Sequence, residues 1–156
     1  MNLIRSISGI RGIIGQNFSP TIASEYAKSF CSIQSETRPL IVARDTRNQG
    51  YEIVESIKKA VTSLGRDIYD IDIAPTPVIQ HLVKKLGAAG GIMVTASHNP
   101  EEWNGLKFID SDGCFICKEK NLELFRNVDN KSFLKNTQKK GTVYNKKKDI
   151  SIFIQD

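Results

Sequence analysis

The chain has 156 residues, 40% of them hydrophobic, and a formal charge of +5. A chain of that length buries roughly 68–70% of its unfolded surface, enough for one independent core. No apolar run approaches the ~20 residues of a membrane-crossing helix, and the N-terminus MNLIRSISGIRG lacks the apolar segment of a secretory signal.

Residues 4–7 predict a first strand leading into a glycine-rich loop at Gly9-Ile10-Arg11-Gly12. Ser19-Pro20 reads as a helix cap followed by proline at the first helical position, and Ile22, Ala23, Tyr26, Ala27 and Phe30 then keep helical spacing. Leu40-Ile41-Val42 is a short buried strand. Ile53, Val54, Ile57, Ala60, Val61 and Leu64 mark a second amphipathic helix, with Gly65 as its stop. A third strand fits residues 67–73, with Ile68, Asp70 and Asp72 on one face and Tyr69, Ile71 and Ile73 on the other.

Thr76-Pro77 opens a third helix carrying Val78, Ile79, Leu82, Val83 and Leu86, and Gly87 closes it. Residues 91–94 form the next strand. Residues 106–109, a turn at Ser111-Asp112-Gly113 and residues 114–116 read as a hairpin, and Leu122, Leu124, Phe125 and Val128 mark a last helix. Strands separated by helices of this length predict a three-layer α/β/α domain with a mixed, mostly parallel sheet. The domain is expected over residues 1–141, with 142–156 an interrupted connection toward a further domain.

The positive charge is local. Residues 130–148 hold seven lysines and no acid, so the remainder balances to about −2. The run lacks interleaved aromatics for base stacking and reads as a solvated connection, not a nucleic-acid surface. Cys31, Cys114 and Cys117 form an odd set without a disulfide-like pattern, which places the chain in a reducing, cytoplasmic compartment. Cys114-Phe-Ile-Cys117 is a single pair whose members would face opposite sides of a strand, so packing is expected there and not zinc. Asp110-Ser111-Asp112-Gly113 starts like a calcium loop but lacks its later ligands and its glycine.

Most of the functional information lies in GGIMVTASHNPEEWNGLK, residues 90–107. A glycine-bounded apolar strand stops abruptly at Thr95-Ala96-Ser97-His98-Asn99-Pro100, beyond its carboxyl end, where open α/β sheets bind ligands. Pro100 pushes Asn99 out of the helical region and Asn99 can bond its own backbone, so the segment reads as a fixed turn presenting a serine hydroxyl. A serine hydrolase is disfavoured. His98 is the immediate neighbour of Ser97, the only other histidine is His81 inside a predicted helix, and no G-x-S-x-G elbow occurs.

T-A-S-H-N-P followed by N-G-L-K at Asn104 to Lys107 resembles the active-site serine loop of the α-D-phosphohexomutases. Ser8-Gly9-Ile10-Arg11-Gly12 and Ala43-Arg44-Asp45-Thr46-Arg47 resemble further segments of that superfamily, in the right order. The resemblance implies domain I of a phosphohexomutase, an isomerase that moves a phosphoryl group between the 1- and 6-positions of a hexose phosphate through a phosphoserine and a bisphosphorylated sugar. It implies a catalytic set of Ser97, His98, Lys107 and Arg11, with Arg11, Ser97, His98, Asn99 and Lys107 contacting substrate. It also implies Mg2+, held in this chain through the phosphoryl group of Ser97, and a hexose bisphosphate activator. A phosphoseryl group carries about −1.5 to −2 charge, so a second phosphate needs cations to approach.

The departures are substantial. Full-sized members have four domains, and the aspartate metal loop, the sugar-reading loop and the distal phosphate loop are absent here. Asp70-Ile71-Asp72 does not replace the metal loop, since it falls in a predicted strand. Ala43 replaces a usual glycine, and Asn48-Gln49-Gly50 replaces the usual small-residue continuation. The expected partners are thus a hexose phosphate and the remaining domains, in cis or in trans, with no nucleic acid and no membrane. The alternative is a stand-alone, non-catalytic phosphosugar-binding module or an inactive fragment. The form T-A-S-H-N-P-x-x-x-N-G-x-K leans toward the phosphomannomutase and phosphoglucosamine mutase branches.

Overall fold

A glycine-bounded strand, β5 (Gly90–Val94), runs through the middle of the molecule with every residue buried. The computed structural model describes residues 2–34 and 37–155. Around β5 lie β1 (Ile4–Ser6), β2 (Gly9–Ile13), α1 (Pro20–Ile33), β3 (Leu40–Arg44), α2 (Gly50–Ser63), β4 (Ile68–Ile73) and α3 (Thr76–Lys85). They are followed by β6 (Trp103–Asp110), α4 (Lys118–Asp129), β7 (Val143–Asn145) and α5 (Ile150–Gln155).

The seven strands form one sheet in the order β1-β2-β6-β5-β3-β4-β7. β5, β3, β4 and β7 run parallel, and β1, β2 and β6 join antiparallel on the other side. Helices α1, α2 and α4 bury their apolar faces on one side of the sheet, around Phe30, Ile57, Val94, Phe108 and Leu124. α3 covers the other side through Val78, Ile79, Leu82 and Val83, joined by Ile150 and Ile152 of α5. The expected three-layer α/β/α architecture is the observed one.

The helix starts and stops follow from local chemistry. Ser19 Oγ accepts the Ile22 amide at 3.2 Å, and Pro20 occupies the first helical turn of α1. Gly65 and Gly87 end α2 and α3 at φ +82° and +62°, a conformation that costs glycine little.

Four local expectations are corrected. Gly9-Ile10-Arg11-Gly12 is not a loop but most of β2, paired with β6 at Ile10↔Leu106 and Arg11↔Gly105. Gly9 and its counterpart on β6, Gly105, serve a close approach of the two strands: a Cβ on Gly9 would sit 2.0 Å from the Leu106 carbonyl oxygen, and one on Gly105 2.2 Å from that of Ile10. The hairpin is reduced to a longer β6, a turn with Gly113 at φ +84°, and a single Ile109↔Phe115 bridge. Cys114 and Cys117 are exposed, not packed, because residues 114–116 do not continue the sheet. Leu122 is also exposed. Beside Leu124 and Val128, the buried residue of α4 is Asn121, whose Nδ2 donates to the Ile7 carbonyl at 2.9 Å.

Asp70 and Asp72 are both committed to cations, Asp70 to Lys58 at 2.9 Å and Asp72 to Arg44 and Lys147 at 3.0 Å each. The lysine-rich segment contributes more than solvated charge. β7 extends the sheet beside β4, and Lys131 pairs with Glu25 at 2.6 Å. Asp156, at the end of the interrupted segment read in the sequence, lies outside the described residues.

Candidate active site

The chain leaves β3 through α2 to β4 on one side and returns through α3 to β5 on the other side of β3. The adjoining carboxyl ends of β3 and β5 therefore make a switch point, the usual place for a ligand in a parallel sheet. Asp45 follows β3 and Thr95 follows β5. The Asp45 amide donates to the Val94 carbonyl at 3.0 Å, and Thr95 Oγ1 donates to Asp45 Oδ2 at 2.7 Å.

Ser97 sits three residues past the strand with φ +57°, in the left-handed region that few non-glycine residues occupy. Its amide donates to Thr95 Oγ1 at 3.0 Å. Its Oγ lies 3.4 Å from His98 Nδ1, a loose contact, and the other ring nitrogen of His98 has no hydrogen-bond partner among the described residues. An imidazole so unsupported lacks the orienting third group of a hydrolase triad.

A cleft of about 160 Å3 opens beside the serine, lined by Ser6, Ser8, Arg11, Ser97, His98 and Lys107, among others. Four of the five residues predicted for the site thus line one cleft. Asn99, the fifth, lines a second cleft of about 480 Å3 that Ser97 also borders, together with Asp45, Arg47 and Glu101. Arg11 links the two, donating from Nη1 to Asn99 Oδ1 at 3.0 Å. Arg11 Nε is buried without a hydrogen-bond partner. The Lys107 ammonium stands 5.5 Å from the centre of the Phe115 ring and makes no ion pair among the described residues. Two cations with uncommitted donors beside a serine hydroxyl suit an anion with several oxygens, such as a phosphate.

The sequence reading gave no role to Asp45, Arg47 or Thr95. Arg47 donates to the carbonyls of Ser97 at 2.9 Å, Asn99 at 2.7 Å, Pro100 at 2.6 Å and Trp103 at 3.1 Å. Its signal was the Ala43-Arg44-Asp45-Thr46-Arg47 motif, but nothing in that motif says that its last arginine meets a loop fifty residues away.

A family model described as phosphoglucomutase/phosphomannomutase, alpha/beta/alpha domain I, matches residues 3–135. The chain belongs to that family. It is domain I of the α-D-phosphohexomutase superfamily. A phosphoglucosamine/phosphogalactosamine mutase of Sulfurisphaera tokodaii is 36% identical over 124 residues, 80% of this chain and 27% of that protein. A phosphoglucomutase/phosphomannomutase of Thermococcus kodakarensis is 37% identical over 128 residues, 78% of this chain and 28% of that protein. Among solved structures, a phosphoglucomutase/phosphomannomutase family protein of Burkholderia thailandensis superimposes with a TM-score of 0.76 at 26% identity, covering 91% of this chain and 33% of that one.

This phosphohexomutase domain I therefore spans little more than a quarter of the length of the curated relatives it matches. No helix among its described residues is long and apolar enough to cross a membrane. The described residues also contain no group of three or more His, Cys, Asp or Glu that could hold a metal ion. Asp45, the carboxylate tied to the serine loop through Thr95, is taken up by Thr95 and Arg47. The described residues do not by themselves make a divalent-metal site.

Proposed function

We propose that this chain is the serine-bearing domain of a phosphohexomutase, in which Ser97 carries the phosphoryl group exchanged between the 1- and 6-positions of a hexose phosphate. The observation that supports this reading is the cleft itself, in which the Ser97 hydroxyl lies with Arg11, Lys107 and His98 at the carboxyl end of β5.

In the transfer, a sugar hydroxyl oxygen bonds to the phosphorus of phosphorylated Ser97 and the P–Oγ bond breaks. The hydroxyl proton ends on Oγ, relayed by His98 or Lys107, which line the same cleft. The other phosphate of the resulting bisphosphate then returns a phosphoryl group to Ser97 by the reverse step. Transfer of this kind is mainly positioning and charge neutralisation. Arg11 and Lys107 oppose the charge of about −1.5 to −2 on the phosphoserine. A magnesium ion would draw from this chain only phosphoryl oxygen on Ser97, with its other ligands coming from further domains.

The test is phosphate transfer from labelled hexose 1,6-bisphosphate to the chain joined to sequence supplying the remaining domains. One label on Ser97, absent in Ser97→Ala, is the expected result. A label mapping to another residue, or full mutase activity in Ser97→Ala, would overturn it.

A further inference from the structure

The two arginines beside the serine loop are committed in opposite ways. A guanidinium has five N–H donors. Arg47 uses all of them inside the protein: Nε to Asp45 Oδ2 at 3.2 Å, Nη1 to the Pro100 and Trp103 carbonyls, and Nη2 to those of Ser97 and Asn99. Its side chain is 13% exposed. No donor is left for a ligand. Arg11, by contrast, makes one such bond and keeps the rest of its fork uncommitted.

Asp45 completes the arrangement. Its carboxylate accepts the Arg47 amide at 3.1 Å as well as Arg47 Nε, and it accepts the Thr95 hydroxyl, whose oxygen in turn accepts the Ser97 amide. Ser97 is thus held on both sides, its N–H by Thr95 and its C=O by Arg47. A left-handed non-glycine residue is strained and persists only where its surroundings over-determine it. These contacts supply that over-determination.

We propose that Asp45 and Arg47 are positioning residues that hold Ser97 in the left-handed conformation and so aim its Oγ into the cleft shared with Arg11 and Lys107. The proposal rests on the reading of Ser97 as the phosphate acceptor. Released from the clamp, Ser97 relaxes toward the ordinary negative-φ region and its hydroxyl swings off line. The fork geometry carries the effect, because the four carbonyls are met by a planar array that an ammonium cannot reproduce.

Two measurements test this with Arg47→Lys, Arg47→Met and Asp45→Asn. In the isolated chain, Ser97 should show the strong intraresidue HN–Hα nuclear Overhauser effect that marks a positive φ, and all three variants should lose it while remaining folded by far-ultraviolet dichroism. Should both Arg47 variants unfold, Asp45→Asn carries the test, since it keeps side-chain size and one hydrogen-bonding face. In the chain joined to the remaining domains, kcat should fall about 100-fold with KM within about 2-fold, as expected for a misplaced reacting group. Arg47→Lys should be no better than Arg47→Met. Retention of the positive-φ signal in a folded variant, rescue by Lys, or a raised KM at unchanged kcat would each overturn the proposal. The conformational measurement involves no phosphate, so it stands apart from the labelling of Ser97: loss of the signal together with full activity in Ser97→Ala would sink the acceptor reading alone.

Discussion

Arg11 and Asn99 meet at 3.0 Å across 88 residues of sequence, and that hydrogen bond ties β2 to the serine loop. It occupies Nη1 and leaves Nη2 of Arg11 without a hydrogen bond among the described residues. In the chain joined to its remaining domains, Arg11→Lys should keep the charge but lose this link, lowering phosphoryl transfer about 10- to 100-fold, the scale of a hydrogen bond to a charged group of ~1.5–3 kcal/mol. Asn99→Ala should cost less, because the guanidinium itself remains. Equal rates for wild type and Arg11→Lys, measured with hexose 1-phosphate and bisphosphate, would refute the assignment.

The strained φ of Ser97 makes a stability prediction. Glycine relieves a left-handed residue of its Cβ penalty, whereas alanine retains it. Ser97→Gly should therefore be about 1 kcal/mol more stable than Ser97→Ala, read from urea unfolding midpoints at constant slope. Indistinguishable midpoints would mean that Ser97 is not left-handed in solution.

Gly9 and Gly15 both have positive φ, but only Gly9 is crowded. An added Cβ at Gly9 meets the Leu106 carbonyl at 2.0 Å, whereas nothing lies within 4 Å of one at Gly15. Gly15→Ala should cost about 1–2 kcal/mol, from backbone conformation alone. Gly9→Ala should cost more than ~3 kcal/mol, because it also forces β2 and β6 apart. Thermal unfolding of the pair compares them directly, and a similar loss in both would contradict the close strand contact.

Asp110 gives the chain an acid-sensitive contact. Burial alone would raise its pKa, but the Lys120 ammonium at 2.7 Å and the Ser111 amide outweigh it and leave the carboxyl below its ordinary value. The contribution to stability is then complete above the unfolded-state value of about 4 and is lost as pH falls through the lower folded-state value. Asp110→Asn should reduce the dependence of unfolding free energy on pH below about 4. An unchanged acid limb in that variant would show that the Lys120 contact adds nothing.

The isolated chain should fold without mutase turnover. It matches 27% of the length of a relative, and its described residues offer no metal-holding group. Purified chain, free of host mutase, is expected to interconvert neither glucose, mannose nor glucosamine phosphates with magnesium and bisphosphate present. Turnover that disappears in Ser97→Ala would identify it as complete in itself.

The sequence by itself determined the family, the layer architecture and the serine loop. Those features are local: a cap at Ser19, apolar spacing through α1, α2 and α3, a glycine-bounded apolar strand, and a short polar motif after it. Arg11, Ser97, His98, Asn99 and Lys107 could be singled out as site candidates because they belong to such motifs. The tertiary structure alone decided why Gly9 of β2 is there, since its reason is the carbonyl of a strand almost a hundred residues on. It also decided the role of Arg47, whose five donors meet backbone oxygens from a distant loop and one neighbouring carboxylate. Backbone carbonyls are the same in every residue, so no pattern of side chains can announce where they converge. Cys114, Cys117 and Leu122 were misplaced for a related reason: apolar character favours burial, but which apolar side chains find a partner depends on how the sheet and α4 meet.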